Sequence, residues 1–189
     1  MSLRKKGAHR LLGLRRIRKT DLTVLFDARN DPGVYKWCRQ YAPLHWSGHE
    51  AWYNWQATSK DCEMFAVERL DSGYNLSDPV GVCGLTSIDY INSRGEFSLY
   101  IKRENQGCGF GREALILLFD FGFNTLGLNR IWGESFEKNP ASSTFLSLGM
   151  EHEGVRKEFY FRNGNYIDAN LYSISSANFN NFLSKTRNI

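Results

Sequence analysis

Apolar positions recur with period two in some stretches of the chain and at helical spacing in others, and the switches between the two outline a fold. "LLGLRRIRKTDL" (11–22) opens as a strand and closes on Thr20 and Asp21, both candidates for a helix N-cap. The helix predicted over roughly 21–29 stops near "NDPG". Residues 33–47 keep no period and are rich in Trp, Tyr and His. Ser47 is the cap candidate for a second helix, "GHEAWYNWQATSK". "CEMFAVERL" alternates as a strand, "DSGYNLSDP" is a turn-rich loop, and "VGVCGLTSIDYI" alternates again. "NSRG" then turns the chain into a further strand, "EFSLYIK".

The clearest helix follows. Leu115, Leu118, Phe119, Gly122 and Leu126 share one face, and Gly127 suits the position just past the end. "NRIWGESF" is a strand. Asn139 as a cap and Pro140 at the first helical position begin a helix that ends at Gly149. "HEGVRKEFYF", the turn "RNGN" and "YIDANLYSIS" form a closing hairpin. Helices and strands interleave without a repeat or an interdomain linker, so the pattern predicts one α/β domain.

Composition changes this picture little. The 189 residues are 42% hydrophobic and 23% charged, which suits a soluble globular domain. The longest apolar run, "ALILLF", is far too short for a bilayer, so no membrane partner is expected. Charge changes it more. The formal charge of +4 comes from residues 1–19, which hold eight Lys or Arg and no acid; the other 170 residues carry 16 bases against 20 acids. The body is therefore no basic nucleic-acid surface, and residues 1–9 read as a basic solubilising tail. Cys38, Cys62, Cys83 and Cys108 form no C-x-x-C pair, and the four histidines are scattered, so neither a zinc site nor any other metal is expected. Reduced cysteines, two of them inside strand-like runs, point to a cytoplasmic protein.

The candidate chemistry begins at "ENQGCGFGRE" (104–113), where Gly107, Gly109 and Gly111 stand between a strand and a long helix. The loop is neither a Walker loop nor a dinucleotide fingerprint. It can be a tight turn that needs positive φ. It can equally expose the unpaired N–H groups and positive dipole end of the helix to a diphosphate, with Gln106 and Arg112 adding donors. Gln106-x-x-Gly109-x-Gly111 matches the R/Q-x-x-G-x-G/A signature of the GCN5-related N-acetyltransferase (GNAT) family. The chain from Gly95 to Ile174 also resembles the second half of that family in order: a strand, the pyrophosphate helix, a strand, an N-P-A-S helix, "LGM", and a hairpin with G-x-Y-x-D. It resembles the ribosomal-protein alanine acetyltransferase branch and the related nucleotide-sugar amine acetyltransferases.

The resemblance implies a GNAT fold, a mixed, mostly antiparallel sheet of about six or seven strands flanked by about four helices, over residues 10–177, with 178–189 as a C-terminal tail. It implies acetyl-coenzyme A as cosubstrate. Backbone groups of Leu99, Tyr100 and Ile101 would pair with the pantetheine arm. Gln106, Gly107, Cys108, Gly109, Phe110, Gly111 and Arg112 would wrap the pyrophosphate. Asn139 would bond the pantetheine, with Ser142 and Phe145 nearby.

Acetyl transfer to an amine sets its own demands. An alkylamine with pKa of about 10.4 is neutral in only about one molecule in a few thousand at pH 7, so a base or a water chain must collect its proton. The oxyanion needs a donor, for which the family uses a strand N–H, here that of Tyr100 or Ile101. Glu96 is the base candidate, and alternation places it on one face with Ser98 and Tyr100; Glu134 is a second carboxylate of more structural aspect. Many family members carry a Tyr acid in the helix after Asn139, where this chain reads Phe145-Leu146-Ser147. Ser147, Tyr100 or water would then protonate the thiolate, or it leaves unassisted. The acceptor wall is predicted from "WCRQYAPLHWSGHEAWYNW": Arg39, His45, Trp46, His49, Trp52 and Trp55, with Tyr160, Tyr166 and Asp168 of the hairpin opposite. The expected acceptor is a small amine, an amino sugar or a protein N-terminus, met by direct attack in a ternary complex. A homodimer stays open. Two other readings stand beside it: a non-catalytic coenzyme A-binding module, and an RNA- or ribosome-associated module using the basic arm.

Overall fold

A computed structural model describes residues 11–70 and 78–187. The basic tail at 1–9 and most of the loop at 71–79 lie outside the described residues. Alternation becomes seven strands: β1 (Leu12–Arg16), β2 (Glu63–Arg69), β3 (Gly81–Asp89), β4 (Arg94–Ile101), β5 (Arg130–Phe136), β6 (Glu151–Arg162) and β7 (Asn165–Ser175). They form one sheet in the order β1-β2-β3-β4-β5-β7-β6. Every neighbouring pair is antiparallel except β4 with β5. The helices are α1 (Leu22–Asn30), α2 (Pro32–Tyr35), α3 (Trp46–Thr58), α4 (Phe110–Asn124), α5 (Ser142–Ser147) and α6 (Ser176–Arg187). The mixed, mostly antiparallel sheet is as expected.

Three boundaries differ from the sequence reading. Residues 178–189 are not simply a tail: α6 runs to Arg187, and Phe179 is fully buried against Phe119 and Phe123. A polar sequence with Phe179 and Phe182 as its aromatics hid this contact. α3 starts at Trp46, one residue before the predicted Ser47 cap, with His45 in the extended cap conformation. α5 is six residues long and starts at Ser142, because Asn139 and Pro140 form a turn rather than a first helical turn.

Helices cover both faces of the sheet. On one face, α4 lays Ala114, Leu115, Leu118 and Phe119 against Leu85, Phe97 and Ile131, and α6 closes over Phe119 and Phe123. At about 1.5–3 kcal/mol for each fully buried large apolar side chain, this face supplies most of the folding drive. On the other face, a smaller cluster of Ile17, Leu25, Cys62, Met64, Ala66 and Val82 packs under Val24, Trp52, Tyr53 and Tyr100.

One irregularity positions the site. β4 and β5 pair at only three positions, Arg94 with Arg130, Gly95 with Ile131, and Glu96 with Trp132. Beyond Glu96 the strands part, and Gly133–Phe136 of β5 pair with β7 alone. The Phe97 ring wedges the fork on the core side. A Cβ at Gly133 would stand 2.3 Å from that ring, so only glycine lets Phe97 lie across β5 there. From Phe97 onward, the edge of β4 that faces β5 has backbone groups with no strand partner.

Candidate active site

The open end of the fork meets the first turn of α4. A Cβ at Gly111 would contact Leu99 at 3.6 Å and Ile101 at 3.8 Å, which places this turn against the end of β4. Gly109 caps α4 with φ of 80°, and Gly107 has φ of 77°. Both dihedrals favour glycine, and nothing lies within 4 Å of a Cβ at either position. The first bond of the helix runs from Glu113 N to Gly109 O, so Phe110, Gly111 and Arg112 present N–H groups without intrahelical acceptors. The turn alternative for the glycine run is therefore met at Gly107 and Gly109, and the helix start is left open. Positive φ is required, and the loop is an open ring of donors able to hold a diphosphate. Cys108 is exposed between them.

The side chains of the loop have other work. Gln106 Nε2 donates to the Ile101 carbonyl at 2.9 Å, closing the loop instead of reaching outward. Arg112 lies over the Phe182 ring of α6, 5.4 Å from its centroid. Phe110 is buried. Phe145 is core rather than cofactor wall, in edge contact with Phe97 and Tyr172. Asn139 Oδ1 accepts from Ala141 N at 3.0 Å, and Ser142 shares a hydroxyl contact of 3.1 Å with Ser135. Leu99 and Ile101 pack their side chains on the α4 face and leave only backbone to the fork.

A polar cluster sits where the fork begins. Glu96 of β4 and Glu134 of β5 point to the face opposite α4, with side chains 6% and 5% exposed. Arg39, from the irregular segment between α2 and α3, bridges them. Its Nη2 pairs with Glu96 Oε1, and its Nε stands 3.5 Å from Glu134 Oε1. Two groups of β6 complete the cluster: Arg156 Nη1 donates to Glu134 Oε2 at 2.9 Å, and the Tyr160 hydroxyl donates to Glu134 Oε1. β6 is irregular between Arg156 and Tyr160, where the register shifts. Arg162 anchors the segment by donating from Nη2 to the Arg39 carbonyl at 2.6 Å. Burial pushes the Glu96 carboxyl above its ordinary range, Arg39 pulls it partly back, and the nearby Glu134 adds to the rise. Burial and the bond to Glu134 push the Tyr160 phenol up to about 12, so it remains a donor.

Several predicted residues lie elsewhere. His49 is 3% exposed and is no acceptor contact: its Nε2 stands 3.1 Å from the Leu22 carbonyl, which ties α3 to α1. Burial pushes its pKa down, so the neutral ring donates through Nε2. Trp52 stacks on His49, and Trp46 packs edge-on against Phe26, while Trp55 and His45 are exposed. Ser147 is exposed and its hydroxyl donates to the Thr144 carbonyl at 2.8 Å, so it offers no acid to the fork. Tyr100 stands four residues from Glu96, about 13 Å along the strand. Its hydroxyl is buried without a described partner, its ring lies under Arg29, and burial drives its pKa upward. Asp168 pairs outward with Lys157, and Tyr166 is exposed.

Arg156 and Arg162 escaped the sequence reading. Their signal was the alternation Arg156, Glu158, Tyr160, Arg162 on a hairpin strand, but nothing local marks that face as turning inward. Among the described residues no group of three or more His, Cys, Asp or Glu could hold a metal ion, and no helix is long and apolar enough to cross a membrane.

The likeness to known proteins follows the same lines. The acetyltransferase (GNAT) domain model matches residues 11–151. An uncharacterized N-acetyltransferase, p20, of Bacillus licheniformis is 35% identical over 96 residues, which is 50% of this chain and 54% of that protein. A spermidine N(1)-acetyltransferase of Vibrio cholerae is 29% identical over 167 residues, 87% of this chain and 94% of that one. The chain thus aligns with about half the length of the first relative and nearly all of the second. The crystal structure of spermidine N-acetyltransferase from Vibrio cholerae in complex with CoA and spermine superposes with a TM-score of 0.82 at 26% identity, over 89% of this chain and 98% of that one. With its fork, its glycine-capped helix and a family match over most of its length, the chain belongs to the GNAT acetyltransferase family.

Proposed function

We propose that the protein transfers an acetyl group from acetyl-coenzyme A to a small primary amine, with both substrates bound together. The observation that carries this reading is the fork itself. An unpaired edge of β4 leads from the open donor ring at Gly107–Arg112 to a buried carboxylate at the point where the strands part. The residues fit acetyl-coenzyme A: glycines clear space for a diphosphate, and unpaired strand groups suit an amide-rich arm. When bound there, acetyl-coenzyme A supplies a thioester as the acyl donor.

The residues then divide the work. Backbone N–H groups of Phe110, Gly111 and Arg112 hold phosphate. The free edge of β4 past Glu96 holds the arm and offers an N–H to the carbonyl oxygen. Glu96 takes the proton from the amine, directly or through water. A carboxyl lifted by burial is a stronger base than an exposed one, while its bond to Arg39 favours the ionised form. Tyr160 and Arg156 hold Glu134 in place beneath it. A leaving thiolate with pKa of about 8.5 departs with water as its acid, in keeping with a helix after Asn139 that carries no Tyr.

The test is thiol release from acetyl-coenzyme A across amino acids, short peptides, amino sugars and polyamines, spermidine among them. Turnover with at least one small amine, together with coenzyme A binding to the free protein, is the expected result. Binding without release on the whole panel would overturn the enzyme reading in favour of a coenzyme A-binding module.

A further inference from the structure

We propose that Arg39 occupies the ammonium position of the acceptor in the resting protein and, once displaced, receives an anionic group of the same acceptor. The preferred acceptor is then a small primary amine that also carries a carboxylate or a phosphate. This rests on the acetyl-transfer reading above and names the substrate class of that site.

The bridge over the two carboxylates is the first observation. Glu96 and Glu134 are nearly sealed, whereas the Arg39 side chain that covers them is 55% exposed. A cation arriving from solvent therefore meets Arg39 before it meets either acid. Glu134 keeps Arg156 and Tyr160 when Arg39 moves, but among the described residues Arg39 is the sole ion-pair partner of Glu96. A buried carboxylate stripped of its cation is costly, so Arg39 leaves only as another cation enters. An acceptor ammonium is that cation, and its exchange delivers the amine to the base. The backbone of Arg39 can stay where it is, since Arg162 holds its carbonyl, and only the side chain swings.

The charge count decides the rest of the acceptor. Arg39 and Arg156 pair with Glu96 and Glu134, and Tyr160 stays neutral, so the cluster is balanced before an ammonium enters and holds one cation in excess once it has. Arg162 Nε is buried without a described acceptor, although its guanidinium lies over the Phe136 and Tyr160 rings. A polyamine would add its further cations to this excess. An amine with its own anion brings a cation to Glu96 and an anion to Arg39 and the unmatched donor of Arg162, so every group finds a partner.

The experiment compares kcat/KM for O-phosphoethanolamine, β-alanine, ethanolamine and spermidine in the full chain, its Arg39→Ala and Arg39→Glu variants, and the conservative Arg39→Lys. The expected result is a preference of at least tenfold for the two anionic amines over ethanolamine and spermidine. That ratio should collapse toward one in Arg39→Ala, carried mainly by KM, invert toward spermidine in Arg39→Glu, and survive in part in Arg39→Lys. Coenzyme A affinity, which depends on the donor loop and not on this cluster, and a cooperative melt, even at a lowered Tm, check that each variant is folded. A wild-type preference for spermidine, or a ratio unmoved by Arg39→Ala, would overturn the proposal and leave acetyl transfer standing. Release with none of these amines would overturn this proposal, while the acetyl-transfer reading falls only if the wider panel of amines is silent as well.

Discussion

The two faces of β4 are built from different materials. Toward α4, Phe97 and Ile101 meet Leu115, Phe119 and Phe145 in a continuous apolar layer, and the donor ring at Gly107–Arg112 is backbone mounted on that layer. Toward α1 and α3, Glu96 meets Arg39, Glu134, Arg156 and Tyr160, five polar side chains from four separated segments. The first face is stable because it is dry. The second is charged within a nearly sealed site, where burial raises the pKa of Glu96 at a cost in stability. The contrast suggests that the donor side is a scaffold and the acceptor side an adjustable device, and substitutions on the two faces should move stability in opposite directions.

The largest effect belongs to the apolar face. Phe179 of α6 is fully buried against Phe119 and Phe123. Phe179→Ala should cost about 3–5 kcal/mol of stability, the usual range for a buried Phe truncation. In a chain of this size that is a fall of roughly 6–20 °C in Tm, read by calorimetry. A loss under about 1 kcal/mol would mean that α6 is peripheral and that the domain does end near residue 177.

Glu96→Gln should do the reverse on the other face. Removing the base should lower kcat by about 10²–10³ with a small amine acceptor. It should also erase the acid limb of the pH profile, since the proposed base role predicts that activity falls as pH drops through the raised pKa of Glu96. Stability runs the other way. A carboxyl whose pKa is higher folded than unfolded binds more protons in the native state, so native stability falls as pH rises through that window. The neutral amide removes this penalty, and Tm at pH 7 should hold or rise. An unchanged pH profile would take the base role from Glu96; a large fall in Tm would show that the ion pair with Arg39 outweighs burial.

The same contrast explains what the chain disclosed in advance. Period-two alternation and the α4 stripe stand in consecutive residues, so the sheet, its main helices and a glycine turn before α4 were legible, although only Gly107 and Gly109 of the three glycines take positive φ. The acceptor cluster was legible only in part. Arg39, Glu96 and Glu134 were each noticed singly, but their meeting depends on β4 and β5 being parallel neighbours and on β7 standing between β5 and β6. The aromatic wall misled because composition does not tell direction. His49 and Trp52 face inward to bind α3 to α1, and Phe145 replaces a predicted contact with core packing. Gln106 and Asn139 were identified by motif, yet each spends its side chain on the local turn.

A smaller change separates scaffold from ligand on the donor side. Cys108 is exposed between two glycines of positive φ and makes only a weak thiol contact with the Gln106 carbonyl at 3.7 Å. Cys108→Glu places a negative charge beside the free N–H groups at the start of α4. In the free protein that charge complements the helix dipole, worth about 0.3–1 kcal/mol, so Tm should hold or rise slightly. Toward coenzyme A the same charge opposes the pyrophosphate, and affinity should fall about tenfold, with the deficit shrinking as salt screens the repulsion. Titration calorimetry at low and high ionic strength measures both. If the free protein gains stability while coenzyme A binding weakens, the donors at Phe110, Gly111 and Arg112 are the phosphate grip. If neither changes, the anion lies elsewhere, and the glycines serve the turn alone.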